Sequence, residues 1–175
     1  MKKILKARKG GFTLVELLIV IMIIAILAGM MMLATGAATD TAEATRIIND
    51  LRATKAAGIL LFMDEGQSWA WAKNGAVDPD TLTSLDYYMD RPLFDGSDKL
   101  YTPYIITGVT IKDSSGANTD RTGKVLLGFQ ISNSTFSSSV RDKLAKNSVR
   151  SGLYDKDGNI YKNATGTDGV YMILH

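Results

Sequence analysis

Residues 9–33 read Lys9-Gly10-Gly11-Phe12-Thr13-Leu14-Val15-Glu16-Leu17-Leu18-Ile19-Val20-Ile21-Met22-Ile23-Ile24-Ala25-Ile26-Leu27-Ala28-Gly29-Met30-Met31-Met32-Leu33. From Phe12 onward this is an apolar run interrupted by a single charge, Glu16. About 22 helical residues at about 1.5 Å each cover about 30 Å of hydrocarbon, so the run is long enough to span a bilayer. An ionised carboxylate near a bilayer centre costs roughly 2.5–3.5 kcal/mol, and such a residue is rarely left without a partner. A cut after Gly11 would make Phe12 the new N-terminus. Its ammonium group and the Glu16 carboxylate would then lie at similar depth, able to pair between neighbouring copies.

The residues before the run are basic and acid-free. Lys2, Lys3, Lys6, Arg8 and Lys9 are five of the chain's 20 basic residues. Without them 15 basic residues face 18 acidic ones, so the formal charge of +2 becomes negative. The basic balance is therefore a targeting feature and no argument for nucleic-acid binding. Basic flanks stay cytoplasmic, which sends the C-terminal part outward. The chain has no cysteine. That excludes thiol catalysis, cysteine metal sites and disulfides.

Two plainer readings compete. A conventional secretory signal has an apolar core of about 7–15 residues and a small-residue cleavage site. Ala34–Ala38 offers small residues, but the core here is longer and carries Glu16 near its start. A simple single-span anchor explains the length and leaves Gly11-Phe12 with Glu16 unexplained. Taken together, the basic leader, Gly11, Phe12-Thr13-Leu14-Val15-Glu16 and the apolar helix resemble the class III signal of type IV prepilins and type II secretion pseudopilins. The resemblance is strong to about Ala38 and looser beyond.

The resemblance implies that a prepilin peptidase cuts between Gly11 and Phe12 and methylates the new terminal nitrogen. It also implies assembly through Glu16 and the helix into a helical filament of identical copies, by a pilus assembly machinery, from a subunit first held in membrane lipid. The proline and glycine that many type IV pilins carry in this helix would fall on Leu33 and Ala25; here the glycines are Gly29 and Gly36. Gly29–Gly36 is where the helix would loosen, since glycine costs a helix about 1 kcal/mol against alanine. The expected domains are a leader at 1–11, a membrane and assembly helix at 12–38, and an outer domain at 39–175.

In the outer part, Asp40 with Glu43, or Thr39, reads as a helix start. Ile48, Leu51, Ile59 and Phe62 recur at near-helical spacing among Arg46, Asn49, Asp50, Arg52 and Lys55. This amphipathic half would continue the membrane helix and needs a sheet to cover it; no heptad persists to make it a coiled coil. Gly66 or Gly75 would end it. Asp78-Pro79 starts a short helix with Leu82, Leu85 and Met89 inward. Tyr104–Lys112 and Lys124–Ser132 read as strands around a hairpin loop at 113–123. Ser138–Val149 reads as a helix burying Val140 and Leu144. Asp157-Gly158 reads as a two-residue hairpin turn, and Gly169–Leu174 as a last strand. The expectation is an α+β fold: a long N-terminal helix packed on a C-terminal antiparallel sheet.

Candidate sites outside the leader are few. Asp155-Lys156-Asp157-Gly158-Asn159 suggests calcium, but an EF-hand loop counted from Asp155 would need glycine at Ile160 and glutamate at Gly166. Because some pseudopilins bind calcium in a C-terminal loop, the segment stays a minor candidate against a plain turn. Lys143, Lys146 and Arg150 share a helical face that could meet DNA phosphates; a solvated face is the preferred reading. Trp69 and Trp71 read as packing residues. The lone histidine, His175, is the last residue. Asn133-Ser134-Thr135 and Asn163-Ala164-Thr165 are short sequons. No catalytic constellation assembles from these residues, so neither an enzyme nor a cofactor is expected. The major-pilin role leads. A pseudopilin or minor pilin follows, and a membrane-anchored extracytoplasmic binding domain is the alternative of another class.

Overall fold

A computed structural model describes residues 11–94, 102–131, 136–163 and 169–175, apart from the side chains at 33–35. It has three helices and four strands: α1 (Leu14–Asp64), β1 (Gly75–Ala76), α2 (Pro79–Tyr87), β2 (Thr102–Val109), β3 (Lys124–Gln130), α3 (Ser138–Ser151) and β4 (Gly169–Ile173). Contacts divide the chain into two units, Met1–Thr39 and Asp40–His175.

In the first unit, the stretch of α1 that precedes Asp40 is apolar almost all round, and no described residue covers it. Every large apolar side chain from Leu14 to Leu27 is at least half exposed. A helix of this composition has a stable place only in lipid or against other helices. Its mean hydropathy of 3.0 over the best 18-residue window, with no burial, meets the length and composition needed to cross a membrane. Gly29 and Gly36 lie inside the helix, which does not break there.

The second unit is built on an antiparallel sheet in the order β1-β2-β3-β4. The fold is α+β, as the hydrophobic patterning requires. Ile105 pairs with Leu127, and Leu127 with Met172. β3 is covered on both faces, which is why its sequence runs almost unbroken through Val125, Leu126, Leu127 and Phe129. One face meets α1 and α3 through Ala44, Ile47, Leu51, Val140 and Leu144, packed with Phe129, Val170 and Met172. The other face carries Leu126 and Tyr171 with Val109 and Ile111. Gly58 sets the separation of α1 from the sheet: a Cβ there would stand 3.0 Å from Leu174 Cδ1 and 3.4 Å from the Trp71 ring.

Several local expectations hold. Asp78 caps α2, accepting from the Thr81 N–H at 3.0 Å and its hydroxyl at 2.8 Å. These two bonds, the backbone one first, hold the Asp78 carboxyl below its ordinary pKa. α3 buries Val140 and Leu144, with Ser137 as its cap. Gly66 ends α1 at positive φ, with the Gln67 N–H returning to the Phe62 carbonyl at 2.9 Å.

Other expectations are corrected. No helix starts at Thr39 or Asp40, because α1 is already under way from Leu14 and its backbone donors there are taken. Gly75 is a strand residue, paired with Ile105. Asp50 is not on the solvent face; it is buried, accepting from Arg91 at 3.0 Å with Arg46 at 3.7 Å. The Asp157-Gly158 turn is not a two-residue hairpin with both centres at positive φ. Tyr154 bridges Ile160, the Gly158 N–H donates to the Asp155 carbonyl, and only Gly158 is at positive φ. β2 ends at Val109 after a bulge rather than at Lys112. Ser132, the Asn133 sequon and part of the Asn163 sequon lie outside the described residues.

Candidate processing and assembly site

The chain enters α1 through Gly11, Phe12 and Thr13, which lie outside regular secondary structure and are exposed, Phe12 by 93%. A Cβ built on Gly11 meets no described atom within 4 Å, so no described residue crowds the Gly11–Phe12 bond.

Glu16 stands in the first turn of the helix. Its carboxylate accepts from both the backbone N–H and the hydroxyl of Thr13, each at 2.8 Å. The Glu16 N–H in turn donates to the Thr13 hydroxyl at 3.2 Å. This is a reciprocal capping box, which satisfies donors that a helix start otherwise leaves unpaired. The carboxylate also sits at the positive end of the helix dipole, where a negative charge is favoured by about 0.3–1 kcal/mol. Thr13 was not singled out from the sequence, although Thr13-Leu14-Val15-Glu16 has the spacing of the box. The chain thus gives Glu16 a local partner within its own helix start, while leaving part of the carboxylate's accepting capacity open.

The other candidates are placed as follows. Asp155 accepts from the Asp157 and Asn159 N–H groups, both at 2.9 Å, and from the Asn159 side chain at 2.8 Å. Asp113 holds its own turn in the same way, and its hydrogen bonds, first that from the Ser115 hydroxyl, lower its carboxyl pKa. Both turns face one small cavity, also lined by Ile160 and Lys162. Among the described residues no three His, Cys, Asp or Glu side chains converge. Lys146 and Arg150 are exposed on α3, while Lys143 donates to the Thr41 hydroxyl at 2.8 Å. Trp69 stacks on Phe62 with ring centroids 4.3 Å apart and lies 5.4 Å from the His175 ring, so the indoles and the histidine close one end of the core. The Asn163 amide donates to the Asp142 carboxylate at 2.6 Å.

Comparison with known proteins agrees with this geometry at one end of the chain. No curated protein and no solved structure matches it. One family model does, described as the prokaryotic N-terminal methylation motif, over residues 6–32. That motif implies processing by prepilin peptidase and assembly into pilus-type complexes, and with the apolar helix it fits membrane anchoring before assembly. With its open Gly11–Phe12 bond, its capped Glu16 and an uncovered apolar helix behind them, the chain carries the class III prepilin signal of type IV pilins and pseudopilins.

Proposed function

We propose that this protein is the structural subunit of a type IV pilus-like filament. The peptidase cuts between Gly11 and Phe12 and methylates Phe12, and the freed helix then packs against copies of itself. The observation that carries this reading is an apolar half-helix that no described residue covers, containing one carboxylate, within a matched prepilin signal. In lipid the helix is solvated by acyl chains. In a filament the same surface is solvated by neighbouring helices, and the Phe12 ammonium of one copy reaches the Glu16 carboxylate of the next. The chain performs no catalysis of its own. The outer domain, facing away from the cytoplasm, forms the filament surface, in an extracellular or periplasmic location.

A pseudopilin or minor-pilin role uses the same signal and differs in how many copies assemble. A membrane-anchored binding domain is the reading of another class, in which the helix never leaves the bilayer. Electron microscopy of material sheared from cells expressing the chain with its assembly machinery separates these readings. Long filaments containing the protein support the major-subunit role. Short or absent filaments, with the cleaved chain retained in the membrane, favour the other two.

A further inference from the structure

Among the described residues of the second unit, four large apolar side chains remain exposed: Leu60 by 46%, Met63 by 64%, Tyr87 by 82% and Val149 by 73%. They fall into two groups of opposite electrical character. Leu60 and Met63 lie on the last turns of α1 beside Asp64 and Glu65. Those carboxylates line a groove with Tyr87 and Tyr88, and none of its described lining residues is basic. Tyr88 donates to the Asp64 carboxylate at 2.8 Å and holds it at the groove. Tyr87 stands edge-on to Tyr88, ring centroids 5.2 Å apart, with most of its own surface in solvent. Val149 lies three residues after Lys146, and with Lys146 and Arg150 it is exposed on the side of α3 away from the buried Val140, Leu144 and Ser148 stripe.

We propose that these two surfaces are the two sides of one contact between copies of this chain: the aromatic-acidic groove of one copy receives the Val149–Arg150 face of another. Arg150 is the chemically matched guest. A planar guanidinium pairs with carboxylate oxygens and lies on an aromatic ring, and Tyr and Arg are the residue types enriched at interface centres. Val149 meets Leu60 and Met63, so apolar surface is covered on both sides. The two surfaces differ, so the contact is heterologous; in the filament reading, where its rotation does not close a ring, it repeats as an open helical array. This inference rests on the filament reading and adds the outer-domain contact that would fix register along the array.

The absence of cysteine in the chain makes the test direct. Tyr87→Cys and Val149→Cys are introduced singly and together into the full chain, filaments are assembled, and a short bis-maleimide is added. The double variant is expected to give a ladder of covalent multimers, and each single variant only monomer. Filaments without a ladder overturn the contact and leave the polymerisation reading intact. Dimers from a single variant mean that a surface meets itself, which also overturns it. A failure of the unsubstituted chain to form filaments refutes polymerisation, and this contact with it. Charge reversal gives the second readout: Asp64→Lys and Arg150→Glu should each lower filament yield about tenfold or more, and the pair together should restore most of it. No recovery in the pair counts against the contact.

Discussion

Gly158 is the most exposed point of the account to a stability measurement. It sits at φ +77° in the turn that joins Tyr154 to Ile160, and its carbonyl accepts from the Lys112 N–H at 2.9 Å. An alanine there meets two costs. The left-handed backbone disfavours any residue with a Cβ by about 1–2 kcal/mol. The new Cβ would also run into the Thr110 carbonyl oxygen and stand 2.8 Å from Val109 Cγ1. Overpacking of this kind costs about 1–3 kcal/mol. Gly116, at φ +87°, has nothing within 4 Å of its built Cβ and therefore meets only the first cost. The expected losses are about 2–5 kcal/mol for Gly158→Ala and about 1–2 kcal/mol for Gly116→Ala. For a domain of this size each kcal/mol is worth about 3–4 °C, so the melting points should fall by roughly 6–20 °C and about 3–8 °C. Thermal unfolding in detergent, followed by near-ultraviolet circular dichroism of Trp69 and Trp71, reads both. Equal losses from the two alanines would refute the clash with the β2–β3 connection.

Three further outcomes follow from the same geometry. Glu16→Gln keeps a residue able to complete the capping box but removes the charge, so filament yield should fall nearly as far as in Glu16→Ala; normal yield from the Gln variant would show that capping, not charge, is what assembly uses. Tyr161 is fully buried, its hydroxyl has no hydrogen-bond partner among the described residues, and burial pushes its pKa up to about 12. The folded state therefore holds a proton that the unfolded chain releases near pH 10, so stability is full below that pH and falls as pH rises toward 12; Tyr161→Phe should match or exceed the parent at neutral pH and flatten that alkaline loss, and unchanged pH dependence would contradict this. Calcium should leave the melting point unchanged, because both oxygens of Asp155 and Oδ1 of Asp113 already accept from their own turns and binding to the folded state would have to raise it; a rise abolished by Asp155→Ala would reverse the assignment.

The membrane half of α1 was legible because its signals are one-dimensional: a run of apolar residues, one charge and a glycine before a phenylalanine. The strands were legible for a similar reason, since Lys124–Gln130 has one composition on both faces. Ile47 and Leu61, fully or nearly buried, were not singled out, because their burial depends on which stripe of α1 the sheet and α2 cover. Asp50 looked like a solvent residue until Arg91, distant in the chain, was brought to it. Asp40 carried a start signal that a helix already propagating from Leu14 overrides, since a cap has value only where donors are free. The turn at Gly158 was found in the right place with the wrong geometry, because the dipeptide fixes one positive φ and the neighbouring bridge decides the rest. The Thr13–Glu16 box was readable from spacing alone, but the apolar context drew attention to partners between chains.

The measurement closest to the central claim is the intact mass of the protein taken from sheared surface filaments. The expected principal component is a chain beginning at Phe12 and carrying one methyl group on its terminal nitrogen. A chain that retains Met1, or one that begins near Ala37, recovered only from membranes, would contradict it.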